Sequence, residues 1–499
     1  MTINLHVMHS WGGGLERWVK EYAQSDSRDT NFVLKSIGEH GTPAKQIHLY
    51  RNIEDRIPLR MWQLDKPIVA TSAMHLEYRY ILQEIIDVFK IDCILISSFI
   101  GHAFELLQTD RRTVIICHDF YPFCPVIVAY FKGNCEECNF SHLKTCYAEN
   151  PVRFFPFTSA IEWMEIRDTF VRALRSKYIP LIIPSPFIKE RLVSLEPKLA
   201  DVPMLVISHG ISPLASVEAL TTELQAPPKN RPRIMILGEL STHKGLELFG
   251  QICDRLCEVA DVYLVGCGDD GFVFKRKPQV TIIARYKREE LATIVDKLDI
   301  DLGLLLSVWT ETFSFTLSEL MSMGIPTLAT KIGSFADRIE DGVNGFLVPP
   351  DPEKIVFKVN DLLDDPKTLQ EIRDRLSSFQ HKSVEQMVIE YQERLGNEAF
   401  DSHKTATLTP AKTLPQDLDL EQLQLQIALQ QHELADLRLS HAKLANQLEY
   451  KEFYPNWKIS KNMRVPLSKR FAMFKYVKRL FPGVWQYLRN LAINFKVLY

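Results

Sequence analysis

No run of 18 uncharged apolar residues occurs in this 499-residue chain, which argues against a helix that spans a membrane. The opening Met1-Thr2-Ile3-Asn4-Leu5-His6 has neither a basic segment nor a long apolar core, so no signal peptide is read there. Cysteine is sparse and odd in number. Nine residues give no disulfide framework, and a reducing, cytoplasmic setting is expected. No short solenoid repeat is visible, and no recognised nucleic-acid motif accompanies the basic residues.

What is present suffices for two or three domains, since 46% of the residues are hydrophobic. The net charge of -3 conceals an asymmetry. Residues 451–499 carry eleven Lys or Arg and a single acid, Glu452, so the remainder is acidic. In this tail Trp457, Phe471, Phe474, Phe481 and Trp485 interleave with Lys469, Arg470, Lys475, Lys478 and Arg479. Such a mixture suits an anionic membrane surface, with a partner protein as the alternative; nucleic acid is not expected. Before it, Leu420, Leu423, Ile427, Gln430, Leu434, Leu437, His441, Leu444 and Leu448 follow 3-4 spacing. Residues 417–450 therefore read as a coiled coil that would make a homo-oligomer, or equally as one amphipathic helix packed on the body. Polar residues 401–416, with Pro410 and Pro415, read as a flexible linker.

Upstream, short apolar runs alternate with amphipathic stretches, the pattern of parallel α/β domains. Strands are expected at Ile3–His9, Phe32–Ile37, Ile94–Ser97, Val114–Cys117, Leu181–Ile183 and Leu205–Ile207. A second set is expected at Ile234–Leu237, Val262–Val265, Val280–Ile283, Leu302–Leu306 and Thr327–Ala329. Thr221–Arg233, with Pro227, Pro228 and Pro232, reads as the connection between sets. The expected domains are 1–225 and 226–400, two Rossmann-like units facing a cleft that receives loops from the carboxyl ends of their strands.

Glu311 and Glu319 are the most informative pair. An apolar run ending at Ser307 precedes them, and helical spacing begins after Phe313 and stops at Gly324, before Pro326. Glu311 thus lies in the loop before a helix and Glu319 two turns inside it. The free N–H groups and positive dipole end at that helix start suit a phosphate. The flanking carboxylates can accept hydrogen bonds from sugar and ribose hydroxyls. At the other end of the chain, Gly12-Gly13-Gly14 follows the first strand, where bare backbone can approach a phosphate or sugar.

Glu311-x7-Glu319, Gly324-Ile325-Pro326, Ile332-Gly333-Ser334 and Asp341-Gly342-Val343-Asn344-Gly345-Phe346-Leu347-Val348 together resemble the group 1 family (family four) of retaining glycosyltransferases. The resemblance covers roughly residues 1–395. It implies the GT-B fold, a nucleotide-diphosphate sugar as donor, and no cofactor or catalytic metal. It implies catalytic roles for His118, Lys244 and Glu311. His118 ends a strand and has Asp119 beside it to orient its ring. Lys244 would neutralise the donor's β-phosphate, and Glu311 would hold the donor sugar. The remaining donor contacts it implies are Gly12, Gly13, Gly14, Gly238, Gly266, Arg285, Phe313, Phe315, Thr316 and Glu319. The chain departs from the family at Glu239, where an arginine is usual. Charge compensation must then come from Lys244, the helix dipole and Arg17 or Arg285.

Two acid-rich or thiol-rich groups remain. Asp299-Ile300-Asp301 opens a strand, where a helix cap or solvent is a better destination than a metal. Cys135-x2-Cys138, with Cys124 before and Cys146 after, has spacing that could hold a structural zinc, with free thiols as the alternative.

The expected function is sugar transfer to a lipid-linked or polysaccharide acceptor, by a protein peripheral on the cytoplasmic membrane face. The rivals are a GT-B nucleotide-sugar epimerase or hydrolase, and a catalytically weak scaffold of a glycan-assembly complex.

Overall fold

A computed structural model describes residues 1–396 apart from 40, 153 and 215–227. The linker, coiled-coil and tail expectations at 401–416, 417–450 and 451–499 lie outside the described residues, as does most of the connection expected at Thr221–Arg233.

The first sheet has eight strands: β1 (Ile3–His9), β2 (Thr30–Ile37), β3 (Ala44–Tyr50), β4 (Arg60–Ile68), β5 (Cys93–Ile96), β6 (Arg112–Ile116), β7 (Leu181–Ile183) and β8 (Met204–Val206). Their order is β4-β3-β2-β1-β5-β6-β7-β8. Pairing is parallel except at β2/β3 and β3/β4, which form an antiparallel extension at one edge. The second sheet has six: β9 (Arg233–Leu237), β10 (Asp261–Val265), β11 (Val280–Ile283), β12 (Leu302–Leu305), β13 (Thr327–Thr330) and β14 (Phe346–Val348). Their order is β11-β10-β9-β12-β13-β14, and every pair is parallel.

Central strands such as β5, β9 and β12 are buried along their whole length, as strands covered on both faces must be. Both sheets reverse strand order at their first strand, so crevices open beyond the carboxyl ends of β1 and β9. The glycine loop leaves β1 there. Gly238 leaves β9, and Ser307 to Glu311 follow β12.

The helix Val384–Gly396 departs from the expected boundaries. Val384, Met387, Val388, Tyr391 and Leu395 pack with Trp18, Val19 and Tyr22 of the helix Gly13–Ser25 and with Met8, Leu95 and Ile116 of the first sheet. Residues 384–396 therefore belong to the first body rather than to a second domain running to 400. The apolar face of this helix is plain in sequence, but its partner is some 370 residues away. The chain thus crosses between bodies twice, and the crossings touch. Ile211 N–H donates to Lys382 C=O at 3.0 Å. A Cβ on Gly210 would lie 2.4 Å from Ser383 O, so only glycine fits.

Among the described residues no helix is long and apolar enough to cross a membrane.

Candidate functional site

The helix Phe315–Ser322 is the centre of the site. Its N-cap is Ser314, whose Oγ accepts from Leu317 N–H at 3.3 Å. Ser314 has φ of 70°, an uncommon conformation for a residue with a side chain. Arg338 holds it there. Its guanidinium donates to the carbonyls of Phe313 and Ser314 and to Ser318 Oγ, and its Cζ lies 4.0 Å from the Phe313 ring centre. Burial pulls Arg338 down to about 10. Nothing local in the sequence marks this arginine, 24 residues beyond the cap it secures.

Glu311 sits before this helix. Its Oε1 accepts from the Lys244 ammonium and from Ser307 Oγ. Burial alone would raise the Glu311 carboxyl. The adjacent ammonium and both hydrogen bonds outweigh it and hold the group below its ordinary range. Gly333 makes the loop possible: at φ 57°, its Cβ would lie 2.4 Å from Glu311 O. Gly245, after Lys244, packs as tightly, with Leu306 O 2.2 Å from its virtual Cβ.

Glu319 is buried, and its Oε1 accepts from two arginines. Arg288 Nε lies at 3.2 Å and Arg17 Nη1 at 2.6 Å. Arg17 belongs to the first body, one turn beyond the glycine loop, and its Cζ lies 4.3 Å from the Phe315 ring centre. A Cβ on Gly14 would lie 3.3 Å from that ring, and one on Gly238 2.9 Å from Thr316 Cγ2. Gly266 faces Tyr286, whose hydroxyl is pushed far up by burial and by Glu319. Gly12 and Gly13 both have φ of 79°, with open space beside Gly13.

The geometry thus gathers Gly14, Gly238, Lys244, Glu311, Phe313, Phe315, Thr316 and Glu319 around one helix start. His118 joins through its backbone: its carbonyl accepts from Thr312 Oγ1 at 2.6 Å, across the bodies. Its ring Nε2 meets Ser97 Oγ at 3.2 Å, and the ring packs edge-on to Trp18 and against His209. Burial, reinforced by His9, pulls it down to about 3, so the ring is neutral near pH 7. Asp119 Oδ1 accepts from Tyr121 N–H at 2.7 Å. Arg285 stands apart, paired with Asp269 at 2.9 Å with both groups largely exposed. Glu239 is exposed as well.

Sequence reasoning missed three contributors beside Arg338. Arg288 ties Glu319 to Ser212 O at 2.8 Å. Trp309 stacks on His243 at 4.5 Å and on Tyr130, from the first body, at 5.8 Å. His209 lies nearly parallel to the Phe315 ring at 5.8 Å. Each contact joins residues far apart in the chain.

Elsewhere, Asp299 and Asp301 hold Lys229 Nζ at 2.8 and 2.9 Å. Cys124, Cys135, Cys138 and Cys146 are buried neighbours in the first core, and all nine cysteines are free. Three of the four turn to separate partners: Cys135 to His142 at 3.4 Å, Cys138 to Arg167 at 3.2 Å, and Cys146 to Asn150 at 3.4 Å. Burial pushes the Cys135 thiol up to about 12. Among the described residues no group of three or more His, Cys, Asp or Glu is placed to hold a metal ion.

Residues 222–378 match the family model of the glycosyl transferases group 1. A sulfoquinovosyl transferase of Arabidopsis thaliana is 27% identical over 199 residues. That match spans 38% of this chain and 38% of the relative's length. In structure the chain is similar to a glycosyltransferase from Rickettsia africae, with a TM-score of 0.51 at 15% identity, covering 81% of this chain and 99% of that one. The structural likeness is one of fold.

Proposed function

We propose that the chain is a retaining glycosyltransferase, because residues 222–378 match the group 1 glycosyl transferase family model and the fold is similar to that of a solved glycosyltransferase. It moves a sugar from a nucleotide-diphosphate donor to a lipid-linked or polysaccharide acceptor. The observation that carries this reading is the paired arrangement at one helix start: Glu311 on Lys244, Glu319 on two arginines, and bare glycine backbone opposite.

In this reading the diphosphate lies against the N-terminus of the helix Phe315–Ser322 and the Lys244 ammonium. Glu311 accepts from hydroxyls of the donor sugar, and Glu319 from those of the ribose. The anomeric carbon–oxygen bond to the leaving diphosphate breaks with its electron pair passing to the phosphate oxygen. The acceptor hydroxyl bonds the same face of that carbon, and its proton goes to the departing phosphate. No protein nucleophile is needed. Residues facing one another across the groove limit the access of water. The basic, aromatic segment 451–499 supports a membrane-surface location, and the spacing in 417–450 supports self-association.

The test is nucleotide release from a panel of nucleotide sugars, with and without a lipid-linked acceptor. Acceptor-dependent release by the wild type, abolished in Glu319→Ala, is expected. Release independent of acceptor would favour hydrolysis or epimerisation. No release from either protein would leave only a scaffold, and equal acceptor-dependent release from both would remove Glu319 from the site.

A further inference from the structure

Glu239 stands where the family resemblance calls for a cation, and the cations around the helix start are unequally committed. Arg338 is used up on Phe313 O, Ser314 O and Ser318 Oγ. Arg288 is divided between Glu319 and Ser212 O. Arg285 is out at the surface with Asp269.

Arg17 differs from all three. It reaches over from the first body, its Nε donates to Glu21 at 3.0 Å, and its Nη1 donates to Glu319. Its Nη2 is buried without a hydrogen-bond partner. A buried guanidinium donor with no acceptor is an unfavourable arrangement, and its natural complement is an anion. The orphan belongs to a guanidinium lying over the ring of Phe315, the first residue of the helix.

We infer that Arg17 is a ligand of the donor diphosphate, contributed by the first body, and that it supplies the positive charge missing at position 239. The inference rests on the nucleotide-sugar reading above. Ribose hydroxyls donating to Glu319 compete with Arg17 for the same carboxylate oxygen. The displaced guanidinium then turns its Nη groups to the phosphate oxygens, which suit its planar fork. Donor binding thereby exchanges an ion pair between bodies for a phosphate contact between bodies.

The test compares full-length wild type, Arg17→Gln and Arg17→Lys, after thermal melting has shown each variant folded. The probes are UDP, GDP, ADP, CDP and TDP by calorimetry, and their parent nucleosides by ligand-observed NMR. For the diphosphate that the wild type binds, Arg17→Gln should weaken affinity about 10- to 100-fold, and Arg17→Lys should recover part of it. Nucleoside binding should be unchanged or tighter, because Glu319 is released. Equal losses for nucleoside and diphosphate would mean that Arg17 acts only by holding Glu319, and would overturn the inference. So would undiminished diphosphate affinity. A wild type that binds none of the five would overturn the nucleotide-sugar reading, and this inference with it.

Discussion

Glu311 and Glu319 lie eight residues apart, yet they are held in opposite ways. Glu311 is paired by Lys244 and Ser307 of its own body, and Gly333 fits beneath its backbone. Glu319 is shared between Arg288 of its own body and Arg17 of the other. The first pair is independent of how far the two bodies separate. The second breaks when they do. One acid is built as a fixed fitting and the other as a contact conditional on closure.

The largest effect should follow from attacking the fixed pair. In the proposed mechanism Lys244→Ala removes the cation that meets the leaving diphosphate, and kcat should fall about 10²- to 10³-fold. Nucleotide release kinetics measure this, and an unchanged kcat would reduce Lys244 to a surface residue.

Acid should have the next largest effect. Burial pulls His6 and His102, both in the first core region, down to about 4. Between the ordinary value of 6.5 and about 4 the unfolded chain binds more protons, so stability falls as pH falls through that window. Each histidine accounts for on the order of 3 kcal/mol. Glu311, held below its ordinary value of 4.5, contributes stability that is present above 4.5 and lost only as pH falls through its lower folded value. His243 of the second body is pulled down to about 4 in the same way, while Glu105 and Asp119 of the first body, raised to about 7 by burial, gain stability as pH falls and oppose the histidines. Hydrogen exchange at pH 7, 5.5 and 4.5 should therefore show loosening around His6, His102 and His243 rather than of one body as a whole. Unchanged exchange at those sites would refute the assignment.

Gly333→Ala should cost more than about 2 kcal/mol, since strain at positive φ adds to collision with Glu311 backbone. Gly13→Ala, with positive φ but open space, should cost about 1–2 kcal/mol. Urea melts of both variants would show whether the fixed acid's support is the more tightly built of the two. The smallest change is expected from Arg285→Ala, which breaks an exposed pair worth under about 1 kcal/mol and should leave nucleotide affinity unaltered.

The second body was the more legible. Its central strands are continuous apolar runs, and Glu311, Glu319 and the glycines around them share one stretch of chain. The first body hid its β3/β4 extension because Arg60–Ile68 is an edge strand with mostly polar or exposed positions, lacking the apolar run that betrays a central strand. Three-residue β14 was visible as a motif and too short to read as a strand. Arg17 could be named beside the glycine loop by its charge. Its partner, 302 residues away, has no local signature. The same holds for Arg338, whose role depends on a carbonyl geometry that only the folded loop creates.

The two passages of chain between the bodies press together at Gly210 and Ser383. Two adjacent straps restrict a joint more than one does: they define an axle and suppress wobble about other directions. The two bodies should therefore move as a door on a pin, with a single angle describing the motion. A distance label on each leaf, far from the pin, would follow that angle directly.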